Sequence, residues 1–63
     1  MFTNSEIIQS IMKSKGISVY DVHVKLNYMG CVYRNFKNNQ FSKYFIDKLS
    51  EIVGEDLSMF INC

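Results

Sequence analysis

The sequence predicts an all-α domain built from five short helices. Three observations predict it: a helix-start signature that occurs three times, apolar residues at helical spacing after each start, and the absence of proline from all 63 residues. The signature pairs a capping hydroxyl with apolar residues on either side, at Phe2-Thr3-Ile7, Ile17-Ser18-Val22 and Phe41-Ser42-Ile46. At that spacing a side-chain oxygen accepts from an otherwise orphaned amide, and a hydrophobic staple fixes the angle at which the chain enters the helix.

The first helix begins in the capping box Thr3-Asn4-Ser5-Glu6 and is expected to run to Lys15. Ile7, Ile8, Ile11 and Met12 share one face, Lys13 and Lys15 suit the negative C-terminal end, and Gly16 supplies a left-handed stop. The second helix spans about 19–26, with Val19, Val22 and Leu26 inward, and opens on a variant box in which the Asp21 carboxylate reaches back to Ser18. Asn27 tolerates the left-handed backbone that a sharp turn requires.

A third helix is expected over about 30–38, carrying Val32, Tyr33 and Phe36 inward and ending at Asn38 and Asn39. The fourth begins after Ser42 and carries Phe45, Ile46, Leu49, Ile52 and Val53 up to Gly54. Asp56 can cap a last short helix, 57–61. The expected core is Ile8, Ile11, Val22, Leu26, Val32, Phe36, Leu49 and Val53.

A chain this short buries only about 60% of its unfolded surface, so residues 1–63 form one domain with no second core. Apolar content of 48%, with four Tyr and five Phe, suffices for that core and argues against disorder. No apolar run approaches the roughly 18 residues of a membrane span, and the N-terminal segment has neither a basic stretch nor a continuous apolar one. The expectation is a soluble cytoplasmic protein in which Cys31 and Cys63 are reduced thiols.

Enzymatic chemistry has little to work with. His23 is the single histidine, and Asp21, two positions away on a helix, diverges from it. There is no glycine-rich phosphate loop, no CxxC pair and no acidic metal-binding motif, so the chain is expected to be no enzyme and to need neither cofactor nor metal. Charge is more informative: residues 13–43 carry Lys13, Lys15, Lys25, Arg34, Lys37 and Lys43 against the single anion Asp21, whereas 44–63 are net acidic. The basic middle suits phosphate.

Residues 16–39 place two short amphipathic helices across a tight turn, which is the geometry of a helix-turn-helix. In letters the chain resembles the domain of the Cro and lambda-type repressors, the XRE family. Lys15, Gly16, Ile17, Ser18, Asp21, Val22 and Leu26 fall on matching or similar positions, Tyr33, Phe36 and Asn39 continue the register, and KLSEIVGEDLSMF resembles the closing segment. The resemblance covers nearly the whole chain and implies a compact five-helix, lambda-repressor-like DNA-binding fold. The chain departs from it at Val19, where many relatives have a phosphate-touching polar residue, at His23 for a small alanine, at Asn27 for the turn glycine, and at Met29 for a hydroxyl cap.

The resemblance further implies a sequence-selective regulator that sets its third helix in the major groove of double-stranded DNA as a homodimer. The base-reading positions hold Gly30, Cys31 and Val32, none of which can make a bidentate base contact; Arg34 and Asn35, one turn on, suit guanine and adenine. Lys37, Asn38, Asn39 and Lys43 suit phosphate. Leu57, Met59, Phe60 and Ile61 crowd one short helix; Leu57, Phe60 and Ile61 either close the core or, with Met59, offer a dimer or partner surface. The alternative is a phage or mobile-element modulator that keeps the scaffold but engages another protein through Tyr20, Tyr28, Tyr33, Tyr44 and His23.

Overall fold

The computed structural model of the protein, described for residues 1–27 and 31–62, contains four α-helices and one 3-10 turn, with no strand among the described residues. They are α1 (Asn4–Ser14), α2 (Val19–Lys25), α3 (Val32–Asn38) and α4 (Lys43–Val53), followed by the turn Ser58–Phe60. No helix of the described residues is long and apolar enough to cross a membrane.

Local chemistry sets the boundaries. The Thr3 hydroxyl accepts from the Glu6 amide while the Glu6 carboxylate accepts from the Thr3 amide, and Ser18 and Asp21 repeat that exchange at 3.1 and 2.8 Å. Ser42 Oγ accepts from the Phe45 amide at 3.2 Å. Gly16, Asn27, Asn39 and Gly54 all take the left-handed backbone, at φ of 72°, 58°, 56° and 80°. Of these four only the two asparagines carry a side chain there, and asparagine tolerates that region best.

The core draws on every helix. Ile8 and Met12 of α1, Val22 of α2, Val32 and Phe36 of α3, and Phe45, Ile46, Leu49 and Val53 of α4 are buried around Phe41. The Phe36 and Phe41 rings meet edge to face at 5.5 Å, and Phe45 stacks on Phe41 at 6.1 Å. Ile11 and Leu26, expected in the core, are only partly buried and pack against its edge. Of the apolar stripe expected on the first helix, Ile7 instead lies exposed.

Three further expectations are corrected. The third helix begins at Val32 rather than at 30, with Cys31 as an N-cap that makes no side-chain cap bond. Tyr33 is 51% exposed: in a seven-residue helix the inward stripe is filled by Val32 and Phe36, and Tyr33 stands about 100° around the helix from Val32. The closing segment forms one 3-10 turn instead of an α-helix. Its Asp56 carboxylate accepts from the Ser58 amide at 3.0 Å, and Ser50 Oγ accepts from the Leu57 amide at 3.1 Å.

Two long-range polar ties complete the packing. Ser5, on the same stripe as Ile8 and Met12, donates its hydroxyl to the Phe36 carbonyl, and its amide donates to Asn39 Oδ1 at 2.9 Å. Asn62 then closes the chain onto the α3–α4 connection: Phe41 and Asn62 exchange bonds of 2.7 and 2.9 Å, and Asn62 Nδ2 donates to the Asn39 carbonyl.

Candidate nucleic-acid interface

The shortness of α3 decides what it displays. Val32 and Phe36 face the core, so Arg34, two residues from each, points to the opposite side. Lys37 and Asn38 flank it, and all three are exposed. Arg34 and Lys37 take part in no salt bridge among the described residues. Cys31 is exposed with a free thiol at the helix entrance. Met29 and Gly30, assigned to the cap and the base-reading position, lie outside the described residues, as do Tyr28 and Cys63.

The remaining polar candidates divide. Asn35 is half-buried and lines a groove of about 390 Å³ with Lys25, Asn27, Tyr44 and Lys48, so it stands apart from the outward Arg34. Asn39 commits its Oδ1 to Ser5, which orients it toward α1. Lys43 pairs with Asp47 at 3.0 Å, one helical turn on. Both side chains are exposed, and such a surface pair contributes little and yields readily to a stronger anion.

The groove beside Asn35 gathers Lys25, already counted in the basic middle, with a cation and a ring that sequence reasoning did not assign to the surface for phosphate. Lys48 holds its ammonium 5.6 Å over the Tyr44 ring, and Lys25 lies across the groove at the end of α2. The i,i+4 spacing of Tyr44 and Lys48 was the available signal. Nearer the α2 entrance the Asp21 carboxylate is held below the usual aspartate range, first by its hydrogen bonds from Ser18 and then by the charge of Lys25.

On the flank shared by α2 and α3 the rings of Tyr20, His23 and Tyr33 form a row. His23 is half-buried, with its ring 5.2 Å from Tyr33 and 6.4 Å from Tyr20, and Val24 lies exposed on the same helix. The place a small alanine would occupy at a tight helix crossing is thus taken by an imidazole that carries the outward Tyr33.

Four residues were expected to form a dimer or partner surface, and they separate. Leu57 and Phe60, 1% and 8% exposed, are drawn into the core because a 3-10 turn folds back over α4; Ile61 is partly buried, and Met59 alone stands out at 71%. Lys15 bonds to Glu55 at 3.0 Å beside this turn and so ties the end of α1 to the α4 exit. Compared with family models, curated proteins and solved structures, the chain matches none.

Proposed function

We propose that the chain is a sequence-selective DNA-binding regulator in which α2, the turn at Asn27 and α3 act as a helix-turn-helix of the Cro and lambda-repressor type, with α3 in the major groove. The observation that carries this reading is the outward face of α3, where Arg34, Lys37 and Asn38 stand together. Arg34 is the one side chain of that face with the planar fork that matches guanine. Lys37 and Asn38 supply phosphate anchors beside it, and Lys25, Lys48 and Lys43 extend the positive surface toward α4.

The test is a polarisation titration of the purified chain on random duplexes and on a duplex pool enriched by selection, at two salt concentrations. Binding anchored by phosphate weakens as salt rises, and sequence readout leaves a tighter class within the pool. Absence of binding at low salt would sink the proposal.

A second reading is favoured by one specific observation, the row of Tyr20, His23 and Tyr33 with the exposed Val24. Rings of this type concentrate at the centres of protein interfaces. On that reading the scaffold engages another protein through the α2–α3 flank, and Tyr33→Ala abolishes capture while Arg34→Ala leaves it intact.

A further inference from the structure

The outer face of α1 is the largest feature the preceding roles leave unused. Phe2 is 74% exposed and Ile7 38% exposed, and Ile11 borders both of the hollows on that side. One hollow is lined by Phe2, Glu6, Ile7 and Ser10; the other, of about 510 Å³, lies at the C-terminal end of α1 and is lined by Ser14, Leu57, Met59 and Phe60. Apolar surface therefore recurs along the helix from Phe2 through Ile7 and Ile11 to Met59, interspersed with Ser10 and Ser14 and bordered at the second hollow by Lys15, Glu55 and Asp56. Of these apolar residues only Ile11 packs against the core edge, and leaving four large apolar side chains partly in water is unfavourable.

We infer that this strip is a self-complementary seam through which two copies of the chain pair, α1 against α1 in antiparallel orientation. The seam sets two rows side by side, each four residues apart: the large Ile7 and Ile11, and the small Ser10 and Ser14. Antiparallel pairing about a twofold axis sets Ile7 opposite Ser14 of the second copy and Ser10 opposite Ile11, so each bulky residue meets a small one. The Ser14 hydroxyl already donates to the Ile11 carbonyl at 2.6 Å, so covering it strands no donor.

Charge chooses the orientation. Glu6 and Lys13 are seven residues apart and share one edge of the seam; neither takes part in a salt bridge among the described residues, and both bonds that Glu6 accepts from Thr3 fall on its Oε1. Antiparallel pairing brings Glu6 of each copy beside Lys13 of the other, offset by about 3 Å along the axis, whereas parallel pairing sets this edge against the opposite edge of the partner and makes no such contact. The same arrangement carries Phe2, one turn before Glu6, past the helix end and over the hollow that Ser14, Met59 and Phe60 line in the second copy. Knob and hollow lie at opposite ends of one helix, which is what a twofold contact needs.

This pairing stands independently of DNA binding, and its test uses no DNA. Sedimentation equilibrium from micromolar to millimolar chain should show a monomer–dimer equilibrium. Phe2→Ser and Lys13→Glu, both at exposed positions, should each weaken it at least tenfold, beyond the small loss in the circular-dichroism melt that a lost staple and a reversed helix-end charge give at monomer concentrations. An equimolar mixture of Lys13→Glu with Glu6→Lys, the latter first shown by circular dichroism to keep its helices without the Thr3–Glu6 box, should dimerise where each alone does not, because the mixed pair restores both charge contacts. A chain that stays monomeric throughout, or a dimer indifferent to both Phe2→Ser and Lys13→Glu, would overturn the seam; a mixture without rescue would overturn the antiparallel orientation.

Discussion

The Ser5 hydroxyl donates to the Phe36 carbonyl at 2.7 Å, joining the first turn of α1 to the end of α3 across 31 residues of chain. The bond is buried, and it satisfies a carbonyl in the last turn of α3, where no further helical amide follows to donate to it. Together with the Ser5 amide on Asn39 Oδ1 it fixes the direction in which α3 leaves the core, and so the direction in which Arg34 points.

Ser5→Ala should therefore destabilise the fold by about 1–3 kcal/mol, since it leaves a buried carbonyl without its donor. Urea unfolding at constant slope measures it. Asn39→Gly keeps the left-handed backbone and removes only the acceptor, so it should cost less than Asn39→Ala, which strains the backbone as well. Equal losses would assign the role of Asn39 to its side chain alone.

Leu49 is fully buried whereas Leu26 lies at the core edge. Leu49→Ala should cost about 2–5 kcal/mol, a large part of the stability of so small a domain, and Leu26→Ala distinctly less. Reversal of that order in thermal unfolding would contradict the packing described.

Acid should weaken the chain in a defined window. Asp21 and Asp56 are both held below their ordinary value of 3.8, chiefly by hydrogen bonds from the backbone amides of Ser18 and Ser58, which need the ionised carboxylate. Their folded values lie below the unfolded ones, so their stabilisation is complete above the ordinary value and is lost as pH falls through the folded values. Asp21→Asn and Asp56→Asn should shallow the fall of melting temperature below that point and leave the neutral plateau without a pH slope. An acid limb identical in wild type and double variant would remove these two groups from the account.

On the proposed DNA reading, Arg34→Ala should cost roughly 1–3 kcal/mol on the preferred duplex and relax selection at one base pair. Lys37→Ala should weaken binding to every duplex alike and reduce the salt slope by about one. Full sequence-selective binding by the Arg34→Ala protein would rule out that residue as the base reader.

What could be read from the letters was the part of the fold that residues three to five apart decide. The Thr3 and Ser18 boxes, the Ser42 cap, and the left-handed stops at Gly16, Asn27, Asn39 and Gly54 all act within one turn of chain, and each shows in the spacing. Tyr33 was misplaced because an aromatic beside an apolar residue reads as core, whereas the inward arc of a two-turn helix is already filled by Val32 and Phe36. Leu57 and Phe60 were left open between core and surface, because four apolar residues in five positions overload an α-helical face. A 3-10 turn distributes them differently, and its formation depends on Ser50 and α4 rather than on its own residues.

Ser5 and Asn62 went unnoticed for the same reason, since their partners lie 21 to 34 residues away. Only Ser5 left a trace, as a polar residue in step with Ile8 and Met12. Of the candidate surface, the outward position of Arg34, Lys37 and Asn38 followed from helical spacing, whereas the groove that gathers Asn35, Lys25 and Lys48 needed the packing of three helices.

The exchange of bonds between Phe41 and Asn62 gives the molecule an internal clock. Amides between helices commonly trade hydrogen with solvent through small local openings, but the Phe41 amide is closed by a side chain 21 residues further on, beneath a fully buried ring. It can open only when the tail lets go. Its deuterium uptake should therefore lag that of the neighbouring Ser42 amide and report detachment of residue 62, a motion that helix signals alone would never register.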